Sequence, residues 1–345
     1  MKKIALGLFV IILVLSGCTF GISNKALGGG VFKSSDNGVI WQQKIFVAKG
    51  KKTNVTIDSM NVSRIIFSPL DSKTVYALSP ESGIYISENE ADQWKKYFGA
   101  GVNSLALHPQ QKDISYIASG NKIYKTIDGG QNWLQIYIEG TPDVSLTDII
   151  IDNNNFDVLF STTSKGTLLK SLDAGNSWQA LYRFNKGISR LFLNLQTGVM
   201  YAAMPTRGLW RSVDKGLTWE DLQPNLESLV KKPGTFRQMI FIPGTVDGLF
   251  YVTAYGLFKT VDGGKSWTSI NLVTPPSAVG INTLTINPQA NNEIFYALNF
   301  LIYYSSDGGI NWVTRPSPAK QAATALTINP NDPNIVYMGT TRIKK

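Results

Sequence analysis

The chain has 345 residues, 43% of them hydrophobic and 17% charged, with a formal net charge of +9. The apolar share is ample for a packed core and excludes an intrinsically disordered chain. The basic residues are scattered, with no dense Lys/Arg stripe interleaved with aromatics, which argues against a nucleic-acid partner.

At the start of the chain, Met1-Lys2-Lys3 is a positive segment, Ile4 to Leu15 an apolar run, and Leu15-Ser16-Gly17-Cys18 closes it. This resembles a bacterial lipobox, and Cys18 is the only cysteine, so it has no disulfide partner within the chain. The resemblance implies cleavage before Cys18, diacylglycerol on its sulfur, acylation of the new N-terminus and attachment to the outer side of the bacterial cytoplasmic membrane, or to the outer membrane where one exists. Two or three acyl chains anchor far more firmly than one, since each buried methylene adds about 0.8 kcal/mol. The expected division is a signal peptide over 1–17, a lipidated cysteine and tether over 18–27, and one domain over 28–345.

From there the chain repeats itself. A pattern Ser/Thr-x-Asp-x-Gly-x-x-Trp occurs around Asp36 and Trp41, Asp128 and Trp133, Asp173 and Trp178, Asp214 and Trp219, Asp262 and Trp267, and Asp307 and Trp312. A degenerate copy has Asn89 for the aspartate, Ala91 for the glycine, and Trp94. The pattern predicts a turn: the carboxylate accepts backbone N–H bonds, glycine supplies positive φ, and the Ser/Thr hydroxyl adds a local bond. Tryptophan buries a flat surface beside it.

Around each turn the sequence reads as four short strands. From Val102 these are Asn103 to Leu107, Ile114 to Ala118, Lys122 to Thr126 and Trp133 to Tyr137. Six complete units follow one another. Ala323 to Pro330 and Ile335 to Gly339 start a seventh, whose third and fourth strands are Gly30 to Ser34 and Trp41 to Phe46. The prediction is an all-β chain: a single seven-bladed β-propeller with one blade shared by the N- and C-termini, which removes open sheet edges.

The repeat resembles the Asp-box, or BNR repeat, of sialidases, sortilin-type propellers, xyloglucanases and photosystem II assembly factors. That resemblance implies turns between third and fourth strands, away from the active face, and a structural role for their aspartates. Length, repeat form and lipoprotein start most resemble the photosystem II stability and assembly factor family. A second likeness, to the N-terminal propeller of sortilins, is carried by Asn329-Pro-Asn-Asp-Pro-Asn-Ile-Val-Tyr-Met-Gly-Thr340. The assembly-factor family carries an arginine-rich patch, which Arg64, Arg190 and Arg237 match loosely.

The face opposite the turns is where binding is expected. Three loops leading into first strands are enlarged: Val47 to Val62 with Lys49, Lys51 and Lys52; Gln223 to Thr235 with Lys231 and Lys232; and Asn271 to Gly280. Aligning the first strands puts Arg64, Ser104, Asp148, Arg190, Gln238, Thr283 and Ala325 at one position, with Arg237 one residue away. Of these, Arg64, Asp148, Arg190, Arg237 and Gln238 form the candidate binding ring at the channel mouth. A structural alternative is Arg64 or Arg190 pairing with Asp148 simply to line the channel.

Chemistry finds little support at this level. The only histidine, His108, sits in a turn whose equivalents elsewhere are Ser68, Asp152, Asn287 and Asn329. No metal-ligand spacing and no phosphate-cradling glycine loop occur, so no metal or cofactor is expected. A sialidase-like site would need an Arg-Ile-Pro signature and a Tyr–Glu pair, and neither can be assigned. Xyloglucanases of this type set two propellers face to face, and the chain reads as one. The expected function is therefore a non-enzymatic, membrane-anchored scaffold binding a protein or polysaccharide on its loop face, with a glycoside hydrolase as the alternative.

Overall fold

A computed structural model describes residues 28–278 and 280–342. They form seven four-stranded antiparallel sheets, the blades of one β-propeller. The second strand of a blade is covered on both faces by neighbouring sheets, so Val75–Ser79, Leu159–Thr163, Leu249–Thr253 and Ile294–Leu298 are buried at every residue. Three of them are near-continuously apolar, as that double coverage favours, while Leu159–Thr163 buries Ser161, Thr162 and Thr163. The fourth strands, at the rim, are half-buried or exposed in Leu134–Ile138 and Val313–Pro316, while Lys95–Phe98 buries Tyr97. The core is accordingly divided among contacts between successive blades. Tyr76, Ile84, Leu105 and Ile117 join the first two blades, and Phe250, Leu257, Leu284 and Tyr296 the fifth and sixth.

The ring closes as the repeat count requires. In the shared blade Val31–Ser34 lies against Val336–Thr341, with Val31 opposite Gly339 and Ser34 opposite Val336. Ala322–Ile328 completes its inner side and Gln42–Gln43 its rim. Two elements depart from expectation. The rim strand ends at Gln43, because Phe46–Lys49 leaves to pair with Asn54–Thr56 as a separate hairpin. Trp94 draws it away: its N–H donates to the Phe46 carbonyl at 2.8 Å and its Nε1 to the Lys44 carbonyl at 2.9 Å. The enlarged loop after Asp221 contains a helix, Gln223–Leu229, with Pro in its first turn. Leu222 and Leu226, four apart, bury its inner side in the cluster that holds Trp267.

The recurrent turns have one geometry. Ser171 Oγ donates to Asp173 Oδ1 at 2.8 Å and accepts from the Gly175 N–H at 2.9 Å. Asp173 accepts from Ser177 through its N–H at 2.8 Å and its hydroxyl at 2.6 Å. In the degenerate copy the Asn89 amide oxygen takes the carboxylate's place, 2.9 Å from Ser87 Oγ. Bonds from the residue four positions on, then from the Ser or Thr two before, hold the carboxyls of Asp128, Asp173, Asp214 and Asp307 down to about 2. Trp41, Trp133, Trp178 and Trp219 each donate Nε1 to the carbonyl of their own turn glycine at 3.1 Å.

Candidate functional site

The seven first strands line a central channel. Their shared polar position is, in large part, a set of stitches between neighbouring blades. Asp148 accepts from Ser104 Oγ of the preceding blade, from the Ile149 N–H at 3.1 Å, and from the Leu191 N–H of the next blade at 3.0 Å. Gln238 makes a paired contact between the fifth and sixth blades: its Oε1 accepts from the Leu284 N–H at 2.8 Å and its Nε2 donates to the Leu284 carbonyl at 2.9 Å. Thr283 repeats the device, accepting from the Leu326 N–H at 3.2 Å. A side chain here reaches the backbone of the neighbouring inner strand, which would otherwise leave a buried donor unmatched.

Arg64 and Arg190 occupy the same position and behave differently. Arg190 Nη1 lies 3.7 Å from Asp148 Oδ1, an ion pair whose carboxylate is 5% exposed. Arg64 points at the same cluster, yet its Nη1 is closed off from solvent and has no hydrogen-bond partner. Burial, and then repulsion from Arg190, pull its guanidinium well below the usual arginine range, while Asp148 opposes the shift only in part. The structural alternative read from sequence thus describes Arg190, whereas Arg64 is left without a partner.

Two cavities meet at these arginines. The larger, about 870 Å³, opens where the first strands begin and is lined by Arg64, Arg190, Arg237 and Gln238. The smaller, about 230 Å³, extends towards the turn-bearing end and is lined by Arg64, Arg190 and Asp148. All five residues of the candidate ring therefore border the channel; Arg237 is the exposed one. The larger cavity has three arginines on its wall and no carboxylate. Its remaining polar lining is hydroxyl and amide, including Ser63, Ser145, Thr147 and Asn282.

His108 is buried and caps a turn, its Nδ1 accepting from the N–H groups of Gln110 and Gln111 at 3.1 Å each. Asp152 and Asn287 do the same for Asn154 and Gln289. Among the described residues no group of three or more His, Cys, Asp or Glu is placed to hold a metal ion. Asp58, Glu81, Glu139 and Asp143 are carboxylates on the loop face outside any ion pair found among the described residues. Sequence reasoning passed over them because they lie in loops whose place around the ring only the fold reveals.

No protein-family model matches the chain. It is 25% identical over 288 residues to a xyloglucanase from a Paenibacillus species, a match covering 76% of this chain and 26% of that protein. It thus spans about a quarter of that relative's length. A shorter match, 31% identical over 81 residues, is to a probable oligoxyloglucan-reducing end-specific xyloglucanase of Neosartorya fischeri, covering 22% of this chain and 10% of the relative. Among solved structures, a GH74 xyloglucanase from Xanthomonas campestris superposes with a TM-score of 0.68 at 17% identity, over 88% of this chain and 52% of that one. YCF48 bound to D1 peptide superposes at 0.62 and 18% identity, over 82% of this chain and 94% of that one. YCF48 from Cyanidioschyzon merolae gives 0.63 at 14%, over 82% and 96%.

These findings correct the expectation of a non-enzyme, since both curated relatives are xyloglucanases and point towards glycoside hydrolysis. The sequence has a single histidine, in a turn, no metal-ligand spacing, no phosphate loop, no sialidase signature and one propeller, and the expectation of a non-enzyme followed from these together. Glycoside hydrolysis ordinarily uses a pair of carboxylates and needs no histidine, metal or phosphate loop.

Proposed function

We propose that this chain is a glycoside-hydrolase-like propeller that takes a xyloglucan-type polysaccharide on its loop face, above the central cavity. The observation carrying this reading is the 25% identity to a xyloglucanase over 76% of the chain. The shape of the face supports it: the larger cavity is bordered by hydroxyl and amide groups suited to sugar hydroxyls, with Phe192 and Phe236 beside them. The test is electrophoresis of the mature protein through gels containing xyloglucan, beside a reducing-end assay on the same polymer. Retardation with release of reducing ends is the expected result. Unchanged mobility and no release would sink the reading.

A second reading is favoured by the match to nearly the full length of both YCF48 structures. In it the same face holds an extended peptide segment during assembly of a larger complex. Crosslinking to a protein of the envelope, with no retardation in the glycan gel, separates it from the first.

The recurrent turns are read as Asp-boxes, which the sortilin likeness of Asn329 to Thr340 also suggests. Cys18 lies outside the described residues. Its lipobox context supports processing and lipid attachment, which would hold the propeller outside the cytoplasm, where extracellular polysaccharide is met.

A further inference from the structure

A guanidinium N–H closed off from solvent with no partner is costly, and the fold keeps one on the wall of the larger cavity. Arg64 Nη1 has no partner, although Asp148 is close enough to influence it. The carboxylate is already engaged by Ser104, two backbone N–H groups and Arg190. With two guanidinium groups and one carboxylate, the cluster carries an excess positive charge. A third arginine, Arg237, stands on the same cavity wall, which bears no acid. Charge closed off from water is ordinarily paired within the chain, and Arg64 Nη1 is not.

We propose that Arg64 and Arg190 form a carboxylate site at the base of the channel, and that its ligand is a sugar acid, a uronate of mono- to disaccharide size. The fork of Arg64 would receive the carboxylate in paired N–H bonds, with Arg190 adding charge from the side of Asp148. The sugar ring would lie against Phe192 and Phe236, whose rings meet edge to face at 6.2 Å between centroids. Its hydroxyls would meet Ser63, Ser145 and Thr147. A volume of about 870 Å³ lies in the range of small-molecule sites. The sugar part of the proposal rests on the glycan reading above, whereas the carboxylate part rests on the arginines alone.

The test is titration calorimetry of the mature protein with glucuronate, glucose and acetate, repeated on Arg64→Gln and Arg190→Lys. Glucuronate should bind more tightly than acetate, and glucose not measurably. Arg64→Gln should weaken glucuronate at least about tenfold, the loss expected for a hydrogen bond to a charged group. Its melting temperature should be equal or higher, because the variant removes a charge that Arg190 repels. Arg190→Lys keeps the charge beside Asp148 and serves as the folded control: glucuronate binding should be largely retained, because the paired N–H bonds come from Arg64. Glucuronate binding no better than glucose, or binding indifferent to Arg64→Gln, overturns the site. Acetate binding as tightly as glucuronate overturns its assignment to a sugar. Retention of neutral xyloglucan without glucuronate binding would defeat this inference and leave the glycan reading standing; the reverse result would do the opposite.

Discussion

At the scale of single residues, the recurrent turn depends on consecutive left-handed backbone positions, and each position makes a different demand. Gly308 has φ +77° and open space where a side chain would project. Gly130 has φ +87°, and a Cβ there would come within 2.4 Å of the Tyr97 ring of the preceding blade. Gly308→Ala should therefore cost only the conformational penalty, about 1–2 kcal/mol. Gly130→Ala should cost that plus overpacking, about 1–3 kcal/mol more. Denaturant unfolding of the two variants measures the difference, and equal losses would remove the steric part of the argument. Ala91 holds the equivalent place in the degenerate copy, at φ +71° and fully buried. The turn chemistry was readable from sequence because all its partners lie within a few residues of one another.

At the scale of strands, the inner position of each blade was also readable, since counting from each turn brings Arg64, Asp148, Arg190 and Gln238 into one register. Their partners were not readable. Asp148 meets Leu191 and Gln238 meets Leu284 across blade boundaries, a pairing set by how adjacent sheets pack. The stitches should differ in weight. Asp148→Ala would orphan the Leu191 N–H and leave two guanidinium groups without their counter-charge, at about 3–5 kcal/mol. Gln238→Ala removes a neutral pair of bonds and should cost about 1–3 kcal/mol. Thermal and denaturant unfolding of both variants tests the order; a smaller loss for Asp148→Ala would mean the arginines, not the carboxylate, hold that boundary. The hairpin Phe46–Lys49 and the helix Gln223–Leu229 were missed for related reasons. The hairpin follows from the pull of Trp94. The helix did leave a signal, Leu222, Leu226 and Leu229 at helical spacing around Gln223-Pro224, but the segment is barely two turns long.

At the scale of the whole molecule, the proposed anchor decides where the propeller works. In a bacterial host, wild-type chain should incorporate labelled palmitate and sediment with membranes, whereas Cys18→Ser should lose the label and appear in the soluble extracytoplasmic fraction. Wild-type protein without label would remove the anchor. The repeat, its sevenfold count and the sharing of one blade between distant segments were all determined by the order of residues, because strand alternation and turn chemistry are local and recur at regular intervals. What only the tertiary structure decided is which of the inward polar residues are matched. Asp148 and Gln238 are consumed in joining blades, while Arg64 is left facing an acid-free cavity. That distinction depends on ångström-scale distances between strands more than forty residues apart, which closing the ring sets.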